Sequence, residues 1–196
     1  MSINISKWVA EYRNRNPKEA IPYDDSGTTK TDGYEFSSIS DNYQKRGHIR
    51  RDEFRDIAEW KSPRQKSRYK NNKQIEVEVA TSTAISAYPN VEQQVSALVD
   101  LNGVGVPVAS AILTVVFPQD YGVLDYRAWR AAEWFDQGSV SFNSYDGYVD
   151  FLDNFRNYAT TDAYKSYLNK IRSIANAQAV SAREVDMALW AYDESV

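Results

Sequence analysis

The turn Gly103-Val104-Gly105 joins two apolar segments and constrains the fold of this chain more than any other feature. Residues 91–101 before the turn and 107–117 after it place apolar side chains three and four residues apart, as on one face of a helix. Glycine permits backbone conformations and close approaches that a Cβ atom prevents. The N–H groups at the start of the second helix lack intrahelical partners and suit a phosphate. The stretch therefore predicts two helices joined by a phosphate-binding turn.

Helical patterns continue along the chain, and we predict an all-α fold built as a single domain over residues 1–196. Apolar residues alternate over 75–79 as in a strand, but the helical surroundings favour a helix. Residues 16–47 are rich in Pro, Asp, Ser, Thr and Gly and predict a long irregular segment. Ser181 and Glu184 form a capping-box pattern at the start of the last helix. Besides the two helices that flank the turn, the predicted helices span residues 6–15, 51–60, 72–86, 125–135, 144–158, 162–177 and 182–192.

The charge of the chain is unevenly distributed. The net charge is −4, but residues 41–73 hold 11 Lys or Arg against 5 Asp or Glu. That segment carries +6, and the rest of the chain carries −10. A basic segment on an acidic body suits a polyanionic partner such as DNA. A solvated helix of mixed charge is the alternative interpretation of the same pattern.

Composition excludes several kinds of site. The chain has no cysteine, so it has no disulfide and no Cys-ligated zinc or iron–sulfur cluster. His48 is the only histidine, which disfavours His-based metal sites and His-centred catalytic triads. No apolar run approaches the ~20 residues of a membrane span, and the first residues lack a signal-peptide pattern. We therefore expect a cytoplasmic protein with no membrane partner.

The pattern Leu98-x-x-Leu101-x-Gly103-Val104-Gly105-x-x-x-Ala109-x-x-Ile112 resembles the helix-hairpin-helix motif. With Asp125 placed 20 residues after Gly105, it resembles the helix-hairpin-helix DNA glycosylase superfamily. Arg130 matches an arginine that these enzymes often carry five residues after the aspartate. The resemblance covers residues 91–135, and the helices on either side resemble the family only in number. It implies a glycosylase-like helical bundle with an active-site cleft.

The chain departs from the family pattern in ways that imply a particular reaction. Members with lyase activity carry a lysine two residues after the second glycine of the hairpin, where this chain has Pro107. The usual histidine two residues after the aspartate is Arg127, and the cysteines of an iron–sulfur cluster are absent. The resemblance thus implies a monofunctional enzyme that uses water, needs no metal or cofactor, and leaves an abasic site.

The resemblance assigns the catalytic role to Asp125. Cleavage of a glycosidic bond develops positive charge on the sugar, which a carboxylate stabilises in a dry pocket. The same carboxylate can orient or deprotonate the attacking water. Asp125 also stands where it can cap a helix that begins at Tyr126, and capping does not exclude catalysis.

DNA contacts are expected from two segments. The resemblance implies that main-chain groups of residues 103–106 clamp a phosphate without reading sequence. The segment 60–66 stands where the family often carries a wedge that fills the gap left by a flipped base. An ordinary helix–helix turn and a basic surface turn are the respective alternatives. The candidate DNA-binding residues are Gly103, Val104, Gly105, Val106, Lys61, Lys66, Arg68, Arg130 and the two candidate wedges, Arg64 and Gln65.

A flipped base needs flat walls, and aromatic side chains provide them. For each candidate a role in the hydrophobic core is an equal alternative, and Tyr126 ranks first because it follows Asp125. Asn71 and Asn72 are candidates either for a base edge or for a helix cap. The candidate pocket residues are Trp60, Tyr126, Trp129, Tyr34 and Phe36.

The sequence thus predicts a monomeric, monofunctional DNA glycosylase acting on double-stranded DNA with a modified or damaged base. One role is base-excision repair. The other is defence against phage DNA that carries modified bases such as glucosylated hydroxymethylcytosine, which the long segment 16–47 and the departures from repair enzymes favour. A non-catalytic helix-hairpin-helix DNA-binding module is the alternative from another functional class, and a structural protein with a plain turn is a third.

Overall fold

The computed structural model describes residues 3–15, 36–135 and 159–195, and within these ranges the chain is all-α, with ten α-helices and no strand. None of the described helices has the length and apolar character to cross a bilayer. A short 3₁₀ turn, Pro63–Gln65, precedes α4. The helices are α1 (Ile5–Arg15), α2 (Ser37–Arg46), α3 (Arg51–Lys61), α4 (Lys66–Tyr69), α5 (Gln74–Ser86), α6 (Val91–Val99), α7 (Val106–Val116), α8 (Tyr126–Phe135), α9 (Thr161–Gln178) and α10 (Ala182–Ser195).

The chain divides into two compact units. One comprises residues 16–117 and contains α2 to α7; we call it the hairpin unit. The other comprises residues 1–15 and 118–196 and contains α1, α8, α9 and α10; we call it the terminal unit. The turn predicted to bind phosphate therefore belongs to the hairpin unit, whereas Asp125 belongs to the terminal unit.

Helix α7 is the centre of the hairpin unit. Every residue from Val108 to Val116 is buried, and α2, α3 and α6 pack against this helix. Helix α3 contributes Phe54, Ile57 and Ala58, which are buried on one face because their spacing follows the helical period. Burial of this apolar surface is the main stabilising contribution to such a unit.

Helix α2 corrects the sequence analysis, which predicted an irregular segment through residue 47. Ile39 and Tyr43 lie on one face of α2 and are buried with Phe36, and the helix packs on α7. Gly47 ends it with φ of 74° and donates its N–H to the Tyr43 carbonyl. The polar composition of the segment hid a short row of apolar residues, which becomes buried because the hairpin unit packs against it. The remaining part of that prediction, residues 16–35, lies outside the described residues.

Helix α10 is the centre of the terminal unit, and α1, α8 and α9 pack against it. Its buried side chains include Val185 and Leu189, and α9 supplies Leu168 and Ile171 to the same core. The predicted helix over 72–86 is confirmed as α5, and the other predicted helices within the described ranges are found with small shifts of their ends. The predicted helix 144–158 lies outside the described residues.

Candidate functional site

Gly103 holds the hairpin turn against the basic segment. Its φ of 87° lies in the left-handed region that favours glycine. A Cβ atom at this position would lie 2.8 Å from the Cβ of Arg68 and 3.1 Å from the ring of Tyr69. The turn and helix α4 are therefore in direct contact within the hairpin unit, and a side chain at position 103 would push them apart.

Asn72 ties the same turn to the end of α4. Its Nδ2 donates to the carbonyl oxygens of Asn102, at 3.0 Å, and Tyr69, at 3.2 Å. Its Oδ1 accepts the N–H of Asn102 at 2.6 Å, and the side chain is only 3% exposed. The amide is thus committed to the main chain of the turn, which corrects its interpretation as a group for reading a base edge.

The start of α7 offers main-chain donors. Gly105 is the residue before α7; it is extended, with φ of −108° and ψ of 178°, and no side chain caps the helix. Pro107 in the first turn has no N–H. Within the described part of the chain, the N–H groups of Gly105 and Val106 have no hydrogen-bond acceptor. A Cβ on Gly105 would meet nothing closer than 3.8 Å, so the backbone is open to a ligand there.

The basic segment beside the turn is anchored by Tyr69. The Tyr69 ring is fully buried, packs edge-on to Phe54, and its hydroxyl donates to the Ser62 carbonyl at 3.2 Å. Arg64 and Arg68 are exposed and form no ion pair with another described residue. The segment thus presents two cations whose charge is not neutralised by a described carboxylate.

Other cations of residues 41–73 are already engaged within the hairpin unit. Arg46 donates to Glu53 at 2.5 Å, and Lys66 lies 2.9 Å from Glu59 while remaining 57% exposed along its side chain. Arg51 donates to the Lys70 carbonyl at 2.7 Å. The mixed-charge interpretation therefore fits Arg46 and Lys66, which pair with carboxylates, whereas Arg64 and Arg68 are left for the DNA interpretation. Lys61 and Gln65, the other candidates of this segment, are partly buried.

Asp125 caps α8, as one of the sequence interpretations expects. Its Oδ1 accepts the N–H of Arg127 at 3.0 Å, and its carbonyl accepts the N–H of Trp129 at 2.9 Å. The side chain is partly exposed. Burial raises the pKa of Tyr12 and of Tyr167, and the charge of Asp125 adds to both increases. The carboxylate therefore lies within electrostatic reach of two buried phenols of the terminal unit.

Arg127 covers one face of the Tyr126 ring. Its guanidinium lies 5.3 Å from the ring centroid of Tyr126 and 5.6 Å from that of Trp190. Its nitrogens lie 3.9 Å from Asp193 and 3.8 Å from Glu194. Arg127 thus links the start of α8 to the side chains of Trp190, Asp193 and Glu194 on α10.

Arg130 interacts with a buried carboxylate. Its Nε donates to Oδ1 of Asp193, whose side chain is almost fully buried. Burial raises the pKa of Asp193, and the hydrogen bond from Arg130 acts in the opposite direction. Asp193 requires this partner because an uncompensated buried charge is costly. Contact of Arg130 with a phosphate stays a prediction.

The candidate aromatic residues fall into both units. Phe36 is 3% exposed and packs edge-on against Trp60, with ring centroids 5.7 Å apart, so it has the core role that the sequence left open. Trp60 is partly exposed. In the terminal unit, Tyr126 and Trp129 are partly exposed near Asp125, and Trp129 donates its Nε1 proton to Glu133. Tyr34 lies outside the described residues.

Comparison of the chain with known protein families, with curated proteins and with solved structures found no match in any of the three. The glycosylase resemblance therefore rests on the turn, on Asp125 and on their spacing. In the described part of the chain, no group of three or more His, Asp or Glu side chains is placed to hold a metal ion.

Proposed function

We propose that this protein is a monofunctional DNA glycosylase that grips the DNA backbone with its hairpin unit and cleaves with Asp125. The observation that carries the proposal is the direct contact between the turn at Gly103 and the basic helix at Arg68. The turn, which also carries the donor N–H groups of Gly105 and Val106, thus contacts the helix that carries Arg68, a cation with no described carboxylate partner. Main-chain donors at a helix start combined with arginine side chains suit a phosphate of a nucleic acid.

In the proposed reaction, the target nucleotide rotates out of the duplex before the bond between its base and C1′ is broken. The bonding electron pair leaves with the base, and the growing positive charge on the sugar is stabilised by the Asp125 carboxylate. Water then adds to C1′ and its proton passes to Asp125. The departing base takes up a proton from solvent, and an abasic site remains. Tyr126 and Trp129 are the proposed walls for the base.

Pro107 supports hydrolysis in this proposal, because it leaves no lysine at the position that forms a Schiff base in the lyases. The target is a modified or damaged base. Repair of the cell's own DNA and attack on phage DNA with modified cytosines are both consistent with this chemistry. A panel of damaged and modified substrates distinguishes the two roles.

The test is incubation with duplexes that carry alkylated, oxidised or deaminated bases, and with phage DNA that carries glucosylated cytosines. Abasic sites are scored by cleavage in alkali. We expect excision by the natural protein, and loss of at least 100-fold in rate for Asp125→Asn with unchanged DNA affinity, which is about the effect of removing a main electrostatic contribution. Asp162→Asn, an exposed carboxylate of the same unit, serves as the control and should keep full activity.

A non-catalytic DNA-binding module is the second candidate. It is favoured by the hydrogen bond from the Arg127 N–H, because capping alone accounts for an aspartate before α8. DNA binding without abasic sites on any substrate of the panel would support this candidate and reject the glycosylase.

A further inference from the structure

The loop that leads into Asp125, residues 118–125, is held by the two helices beneath it. The N–H groups of Ala182 and Arg183 donate to the carbonyls of Gln119, at 2.9 Å, and Pro118, at 3.1 Å. The Tyr164 hydroxyl donates to the Gly122 carbonyl at 3.1 Å. Arg172 of α9 also donates its Nε proton to the Asp120 carbonyl at 2.6 Å. The first turn of α10 and two side chains of α9 thus fix the start and the middle of the loop.

Gly122 lets the loop lie directly on these helices. A Cβ at this position would lie 2.5 Å from Cδ1 of Ile171 and 2.9 Å from the Cβ of Asp186. The backbone approaches so closely that no larger residue fits without displacing the loop. The loop therefore has little freedom to shift relative to α9 and α10.

Asp186 holds the end of the loop. This residue of α10 is 2% exposed, and its carboxylate accepts three donors. They are the Tyr167 hydroxyl, at 2.8 Å to Oδ1, the Arg183 guanidinium, to Oδ2, and the backbone N–H of Val123. Val123 stands two residues before Asp125, and Leu124 between them is fully buried. The carboxylate of Asp186 thus connects the helix core directly to the segment that carries the candidate catalytic group.

The network extends to α1. Arg183 donates to the Tyr12 hydroxyl at 3.2 Å, and its guanidinium lies 5.3 Å from the centroid of the Tyr12 ring. A buried ion pair such as Arg183 with Asp186 contributes little net stability, because the desolvation of both charges offsets their attraction. Such a pair is better explained by the geometry that it imposes on its neighbours.

We infer that Asp186 is the positioning residue for Asp125: by holding the N–H of Val123, it fixes the direction in which the chain enters α8 and hence the place of the Asp125 carboxylate. The inference rests on the proposed function for its consequence in catalysis. Tyr167 and Arg183 support Asp186, and none of the three is assigned to touch the DNA. Small displacements of a catalytic group have large effects on rate, which gives such a residue its influence.

The experiment measures single-turnover excision at saturating DNA for Asp186→Asn and Tyr167→Phe. Asp186→Asn removes the charge that Arg183 requires, and Tyr167→Phe removes one donor while keeping the ring. We expect the excision rate to fall by about 10- to 100-fold in Asp186→Asn and by less in Tyr167→Phe, with unchanged DNA affinity in both. If Asp186→Asn does not fold, the excision rate of Tyr167→Phe tests the inference.

The matched control is Val9→Ala, which removes two carbon atoms from the core of the same unit. Its melting temperature is compared with those of the other two variants. If Val9→Ala lowers the melting temperature as much but keeps the excision rate, the effect of Asp186 is positional. Wild-type rates in a folded Asp186→Asn or Tyr167→Phe, or an equal loss of rate in Val9→Ala, would overturn the inference.

Hydrogen exchange at residues 121–125 tests the anchoring of the loop independently of whether the protein excises a base. We expect faster exchange of the Val123 amide in Asp186→Asn and Tyr167→Phe than in Val9→Ala, whatever the substrate. If the natural protein excises no base while this difference is found, the proposed function fails and the anchoring of the loop stands. If exchange at Val123 is unchanged, the anchoring fails even though excision is observed.

Discussion

Asn72 illustrates how a single side chain holds the hairpin turn in place. Its amide forms hydrogen bonds with both main-chain groups of Asn102 and with one carbonyl of α4. Its neighbour Asn71 has an exposed side chain. The sequence alone does not predict which of the two adjacent asparagines is buried. The path of the chain around Gly103 determines that Asn72 is the buried one.

We predict that Asn72→Ala lowers the free energy of unfolding by about 1–3 kcal/mol, because it removes a buried amide and its three hydrogen bonds to the main chain. Asn71→Ala is the matched control and should change stability by less than about 0.5 kcal/mol, as exposed substitutions do. Urea denaturation followed by tryptophan fluorescence measures both. Equal losses in the two variants would show that the amide of Asn72 does not stabilise the turn.

At the scale of elements, apolar spacing predicted α7 and α3 correctly, because the hairpin unit buries the apolar residues of both. Helix α5 was predicted from its helical surroundings, since residues 75–79 alternate as in a strand. The capping box at the start of α10 is also confirmed, with Ser181 and Glu184 exchanging hydrogen bonds. Helix α2 was missed, since two buried residues among polar ones give a weak signal. Asp186 was missed as well: an aspartate three residues after an arginine looks like a surface pair, and its burial depends on the loop that covers it.

Helix α4 and the preceding 3₁₀ turn make a prediction about salt dependence. We expect Arg64→Gln and Arg68→Gln each to weaken DNA binding at low salt and to lower the slope of log affinity against log salt by about 1, because each removes one of the proposed phosphate contacts. Glutamine keeps most of the side-chain length, so the packing of Arg68 beside Gly103 is preserved. Fluorescence anisotropy with labelled duplex at several salt concentrations measures the slope.

Lys73→Gln is the control for that measurement. Lys73 is an exposed cation of the same unit, directly before α5, and lies 3.9 Å from Glu76. The Lys73→Gln substitution should leave the slope of log affinity against log salt unchanged. A drop in slope equal to that of Arg68→Gln would mean that any cation of the unit attracts DNA, and that the contact between α4 and the hairpin turn has no special role.

At the scale of the whole molecule, both units bury tyrosine hydroxyls. Burial raises the pKa of Tyr12 and Tyr167 in the terminal unit and of Tyr43 and Tyr69 in the hairpin unit above the ordinary value of 10.0. In the unfolded chain these groups ionise near pH 10, while in the folded chain they still hold their protons. Their contribution to stability is therefore fully present below pH 10 and is lost as pH rises toward the folded pKa values.

We therefore predict that the free energy of unfolding falls steadily as pH rises above about 10. Denaturation midpoints measured between pH 8 and pH 11 test this expectation. Tyr167→Phe should show a shallower fall than the natural protein, because one of the contributing phenols is gone. Midpoints that stay constant up to pH 11 would contradict the prediction.

The pairing of α1 with α10 has a consequence for how the protein is made. Residues 16–117 are contiguous, so the hairpin unit has all of its own helices as soon as α7 leaves the ribosome. Helix α1 is synthesised before the hairpin unit, whereas its partner α10 is synthesised after it. Val9 and Tyr12 therefore lack their native neighbours on α10 until more than 160 further residues have been synthesised, so the apolar side of α1 stays exposed to non-native contacts during that time.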